Sequence, residues 1–174
     1  AEHGFYNSVY ANIVSTDSSL ASNEYSKIRY VVEDKDVKYL QWGTANARPL
    51  TLSFWVKSNV AGQTLCLNVS NFSTNNRTFI AEYTLPSGTA NSWQKHVIKI
   101  PGDTTGTWTH ITLQWVLAAG SDYSGGSTGW NSGSKIATNN QYNWLGDANH
   151  FYLTGVQLER GNVSSPFEHR HITD

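Results

Sequence analysis

The sequence predicts an all-β domain, an antiparallel sandwich of the jelly-roll type, and three observations predict it. Charged residues make up only 14% of the 174 positions while aromatics reach 13%, where average domains carry about 25% charge. Segments of alternating apolar and polar residues recur along the chain with turn signals between them. No stretch competes as a long amphipathic helix, so no crossover helix separates the strands. A surface built from Ser, Thr, Asn and Gly is foreign to helices, which coat themselves in Lys and Glu, whereas Thr, Tyr, Trp and Val suit pleated, half-buried sheets.

The elements follow in order. FYNSVYANIV is a weak strand within an N-terminal segment, 1–25. SKIRYVVE, from Ser26 to Glu33, alternates Ile28, Tyr30 and Val32 against Arg29 and Glu33. The charged EDKD cluster then turns it into DVKYLQW, which predicts a hairpin. LTLSFWVKS is the cleanest strand, with Leu50, Leu52, Phe54 and Val56 on one face and Thr51, Ser53, Trp55 and Lys57 on the other. QTLCLNVSN sends Leu65, Leu67 and Val69 inward, and RTFIAEYTL does the same with Phe79, Ala81 and Tyr83. SWQKHVIKI runs into Pro101, which cannot donate to a ladder, and PGDTTG turns the chain. THITLQWVL alternates Ile111, Leu113, Trp115 and Leu117 against Thr112, Gln114 and Val116. HFYLTGVQLE begins with Phe151 and Leu153 on one face but continues with Val156 and Leu158, a slip of one residue that a bulge at Gly155 absorbs. The count is eight or nine strands in a single domain over 1–174, closed by a tail, 160–174.

One segment breaks the rhythm. Residues 119–150 hold six glycines and only three charged residues, and loops that long are uncommon in compact domains unless functional or disordered. Tyr123, Trp130, Tyr142 and Trp144 argue for order, because a flexible linker has no use for four large rings. Trp130 and Tyr123, flanked by Gly and Ser, are expected at the surface. Trp144, followed by Leu145, is equally suited to anchoring the loop in the sandwich.

A net charge of −1, from 12 basic and 13 acidic residues, gives no field that draws in nucleic acid or an anionic membrane. No window reaches the 18 or so apolar residues of a membrane span, and the opening residues lack the layout of a signal peptide. The chain therefore reads as soluble and mature. With no Met, it reads as a fragment, a cleavage product or a chain whose initiator was removed. There is no nucleophile elbow, phosphate-binding glycine loop, HExxH, CxxC or EF-hand loop, so the chain reads as non-catalytic and without a cofactor. Cys66, between Leu65 and Leu67, is a quiet, half-buried thiol. His96, His110 and His150 read as ordinary residues at strand edges. His169 and His171, two apart in the tail, are a solvated pair, with a metal shared about a three-fold axis as the alternative. A structural calcium would draw on Asp103, Asp122 or Glu159.

Three strings carry a family resemblance: YLQWGTANARPLTLSFWVKS, SWQKHVIKIPGDTTGTW and FYLTGVQLERGNVSSPFEHR. In this order, from Tyr39 to Arg170, they resemble the C-terminal carbohydrate-binding-module-like domain of bacteriophage tail fibre and tailspike proteins. The resemblance implies a jelly-roll module without catalysis, part of a homotrimeric virion protein that recognises host surface polysaccharide at the tail. The chain departs from the pattern at its end, where HITD replaces a longer extension.

The residues themselves nominate the binding site. Sugars offer patches of C–H on their ring faces, which stack on exposed aromatic rings, while amides and hydroxyls fix orientation. The long loop supplies both through Trp130, Tyr123, Trp144, Tyr142, Asn131 and Asn143, without charge, which suits neutral glycans. Trp55 and Gln114, outside the core face of their strands, form a second candidate surface, unless a partner chain or the N-terminal segment covers Trp55. The alternatives are a trimerising cap that binds nothing, with Trp55 and the PFEHR tail buried between chains, and a module appended to a bacterial glycoside hydrolase.

Overall fold

The computed structural model describes residues 4–32, 37–71 and 77–168. Among these residues nine strands run in chain order: β1 (Val9–Asn12), β2 (Tyr25–Val32), β3 (Leu50–Ser58), β4 (Thr64–Ser70), β5 (Arg77–Thr84), β6 (Gln94–Ile100), β7 (Ile111–Ala119), β8 (Gly129–Ser132) and β9 (His150–Arg160). They form a four-stranded sheet, β1-β9-β3-β6, and a five-stranded sheet, β2-β7-β4-β5-β8. Every pairing is antiparallel. The fold is thus the predicted jelly-roll sandwich.

The period-two residues meet between the sheets. Leu52, Phe54 and Val56 of β3 face Leu65, Leu67 and Val69 of β4 and Ile111, Leu113 and Trp115 of β7, all buried. Burying each such side chain contributes roughly 1.5–3 kcal/mol. At one end of this core Trp42, Trp108 and Trp130 pack edge to face, with ring centroids 4.7–5.4 Å apart.

β9 carries the expected irregularity. Trp55 pairs with Thr154 but Ser53 pairs with Gln157, so two residues of β9, Gly155 and Val156, oppose Phe54 alone. Gly155 takes φ 58°, the left-handed region where a side chain is costly.

Three expectations are corrected. The EDKD cluster, 33–36, lies outside the described residues, but the chain after it is no hairpin strand: Val37 and Lys38 are helical and turns follow through Gly43. Gln41 and Gly43 have φ of 55° and 88°, which a strand cannot contain, and Val37, Leu40 and Trp42 bury their side chains from this compact turn. Tyr30, expected with Ile28 and Val32 on an apolar face, is 60% exposed, because β2 is the edge strand of its sheet, paired with β7 alone. The 119–150 segment is not all loop, since β8 extends the five-stranded sheet beyond β5, and Trp144–Gly146 form a 3-10 turn.

The rest of that segment folds over the outer face of the five-stranded sheet. Ile136 and Ala137 pack on Cys66, Ile80 and Val116, and Gln141 bridges two strands, accepting from Cys66 N at 2.7 Å and donating to Val116 O at 3.1 Å. The C-terminal tail folds back likewise over the outer face of the four-stranded sheet. Thr51 donates to Gly161 O, Ser165 donates to Glu159, and Glu168 N donates to Gln157. Thr51 and Ser53 are consequently buried although both point away from the core.

Candidate functional site

The aromatic residues of the long segment turn inward. Trp144 is fully buried, edge to face with Tyr142 and Phe151 at 5.6 and 5.8 Å. Asn143 caps its turn, accepting from Leu145 N, and ties down the N-terminal segment by donating to Asp17 O at 2.9 Å. Tyr142 is half-buried beside this core, its N–H given to Thr64 O. Trp130, expected at the surface, lies opposite Phe79 and therefore on the core face of β8. It is half-buried against Trp42, Trp108 and Phe79, with the Arg77 guanidinium 5.7 Å from its ring and its indole N–H donated to Pro101 O. Asn131 closes the β8 turn through Ser127 and Gly129. Tyr123 is half-buried, edge to face with Tyr25 at 4.6 Å. These residues anchor the segment, because a glycine-rich stretch lying across a sheet gains burial only from its own large side chains.

The second candidate pair is also covered. Gln114 does point away from the core, but it is fully buried, donating to Asn68 Oδ1 at 2.6 Å and Ser70 Oγ at 2.9 Å. Trp55 is half-buried beneath Phe5 of the N-terminal segment, 6.4 Å between centroids, and Phe5 in turn meets Phe167 of the tail edge to face at 4.8 Å. Its cover comes from this same chain.

A different set of aromatic residues forms an open row, one that the linear sequence does not display. On the outer face of the four-stranded sheet Tyr10 of β1 stacks on Tyr152 of β9, with centroids 4.5 Å apart and planes at 22°. Lys57 of β3 is opposite Tyr152. Its ammonium stands 4.7 Å from that ring and 5.1 Å from Trp93, which precedes β6. Tyr10 is 54% exposed, and Tyr152, Trp93 and Lys57 are partly exposed. At the ordinary strand spacing of about 4.8 Å this row crosses roughly 14 Å of rigid sheet. A polar rim closes one end: His150 Nε2 lies 3.1 Å from Asn91 Oδ1, and Asn59 accepts from His150 N. Asn91 has φ 60°, a conformation tolerated by Asn better than by most residues. Exposed rings fixed by a sheet and flanked by amides match the chemistry of sugar faces.

The titratable groups elsewhere serve the fold. Burial alone would raise the Asp103 carboxyl, but hydrogen bonds from Arg77 and Thr105 outweigh it and hold it below its ordinary value. Burial pushes the Cys66 thiol up, leaving it a buried neutral group, more enclosed than the half-buried thiol expected. Burial lowers His96 to about 4, against Phe54 and Tyr83 in the core. Of the proposed calcium ligands, Asp103 is committed to Arg77, Asp122 accepts from Ser22 and Glu159 from Ser165. Among the described residues no group of three His, Cys, Asp or Glu is arranged to hold a metal. His169 and His171 lie outside the described residues.

The fold is a jelly-roll sandwich of the shape that carbohydrate-binding modules have. The structure is similar to a solved structure described as "CBM4 structure and function", at 12% identity over 87% of this chain and 69% of that one, with a TM-score of 0.50. It is also similar to "Family 16 Carbohydrate Binding Module-2", at 12% identity over 80% and 72%, with a TM-score of 0.36. Only the first is alike enough in shape to bear on the fold. No protein-family model matches the chain, and no curated protein matches it.

Proposed function

We propose that this chain is a non-catalytic glycan-binding domain of a phage tail fibre or tailspike, displayed as a homotrimer on the outer part of the virion tail, where it recognises host surface polysaccharide. The observation that carries the reading is the exposed row of Tyr10, Tyr152 and Trp93 on one rigid sheet face. The three ordered strings that resemble tail fibre domains support the setting. Single sites of this kind bind weakly, and three copies on one fibre raise avidity through effective concentration. The cap that binds nothing drew on Trp55 and the tail being covered by other chains. Trp55 has its cover from Phe5 of its own chain, which favours the glycan-binding reading over the cap.

The test is binding of the protein to a broad panel of bacterial surface polysaccharides, with its mass measured by light scattering on the same sample. The expected result is a trimer with a hit that Tyr10→Ala with Tyr152→Ala abolishes while the circular dichroism spectrum is kept. A hit that survives both substitutions removes the row as the site, and a folded trimer that binds nothing on the panel overturns the reading.

A further inference from the structure

The chemistry of the row specifies the class of glycan. Three lysines sit on the outward positions of β3 and β6: Lys57, Lys95 and Lys99. Lys95 has a carboxylate within reach of its charge, that of Glu159, and Lys99 shares with Glu159 the pairing partner Thr51. Lys57 stands at the other end of β3. Among the described residues Arg77 pairs with Asp103, and no carboxylate stands within ion-pair distance of Lys57. Its ammonium is held instead over two ring faces, Tyr152 and Trp93.

That placement has a consequence for binding. A cation over a ring is a favourable contact even at an exposed site, so a neutral sugar that stacked on Tyr152 or Trp93 would displace it. A sugar bearing a negative group keeps the contact and adds a charge-assisted hydrogen bond to the same ammonium, while the open ring of Tyr10 takes the C–H face of the next residue along. Resting on the reading of this row as the glycan site, we infer that the ligand is an anionic polysaccharide whose carboxylate or phosphate is bound by Lys57. This departs from the neutral glycan that the uncharged loop suggested.

The experiment uses the intact protein and a panel of bacterial surface polysaccharides presented in pairs. Each acidic member is printed beside its carboxyl-reduced form, and each phosphate-bearing member beside its dephosphorylated form. The expected result is at least tenfold stronger binding to the charged member of a pair, weakened on raising salt from 50 to 500 mM. The charged group that matters is identified by which treatment removes binding. Lys57→Gln should lose that preference and Lys57→Arg should keep most of it. Equal binding to both members of every pair, or a charge preference unchanged in Lys57→Gln, overturns this inference and leaves glycan binding standing. Binding to no member of any pair overturns the glycan-binding reading itself, and this inference with it.

Discussion

A histidine inside a sandwich reports on pH more sharply than any exposed one. His96 is held neutral by burial, with its value lowered to about 4 against 6.5 in the unfolded chain. Its Nε2 finds no partner. Between pH 6.5 and 4 the unfolded chain binds a proton that the folded chain refuses, so stability falls as pH falls through that window. The full difference is about 3 kcal/mol, from roughly 1.4 kcal/mol per unit. Urea unfolding at pH 7 and pH 4 should show this loss for the natural chain, and His96→Phe should shrink it. An equal loss in both proteins would mean that His96 is not the group responsible. Asp103 acts in the same direction at lower pH, since its carboxyl is held below the ordinary value and its contribution is lost as the pH falls through that lowered value. Replacing Arg77 by Met leaves Asp103, 2% exposed, without its cation. A loss of about 3 kcal/mol is expected by chemical denaturation, larger than that of the double variant with Asp103→Asn.

At the scale of elements the sequence announced strands well and cover poorly. β3, β4 and β7 were legible because their inward residues alternate without exception. The outward ones misled: Gln114 alternates as a surface residue does, yet a folded-back segment lies on that face. A signal was there, since Cys66, Asn68 and Ser70 of β4 and Thr112, Gln114 and Val116 of β7 include no charge, and an open face in water would normally carry some. The aromatic row was missed because its members, Tyr10, Lys57, Trp93 and Tyr152, lie far apart in sequence and meet only once β1, β9, β3 and β6 are ordered. Trp144 is the clearest case of a ring that holds the loop to the core. Trp144→Ala should cost about 3–5 kcal/mol and raise amide exchange throughout 119–150, whereas Tyr10→Ala should change stability by less than about 1 kcal/mol.

The whole molecule is two sheets, each with its outer face partly clothed by the chain's own irregular segments. The five-stranded sheet is covered by residues between β7 and β9, the four-stranded sheet by the tail and Phe5. Among the described residues the latter sheet keeps an open stretch of outer face that runs from β1 toward β6, and there the aromatic row lies. Removing residues 162–174 should therefore uncover Thr51, Ser53 and Trp55 without dismantling the core. The expected signs are a redshift of tryptophan emission and a modest fall in thermal midpoint. An unchanged emission spectrum would show that the tail does not shield Trp55.

The bulge in β9 has a meaning beyond local geometry. Before it, paired positions of β3 and β9 sum to 209, as in Trp55 with Thr154, and after it to 210, as in Ser53 with Gln157. Excising Gly155 would make the sum constant, so an uninterrupted ladder is available to this chain by losing one residue. The extra residue supplies a notch: a Cβ at Gly155 would stand 2.4 Å from the Phe5 ring and 2.9 Å from Trp55. A missing side chain on one strand thus makes the berth in which the start of the chain is moored. A variant lacking Gly155 would keep its sandwich and cast Phe5 loose.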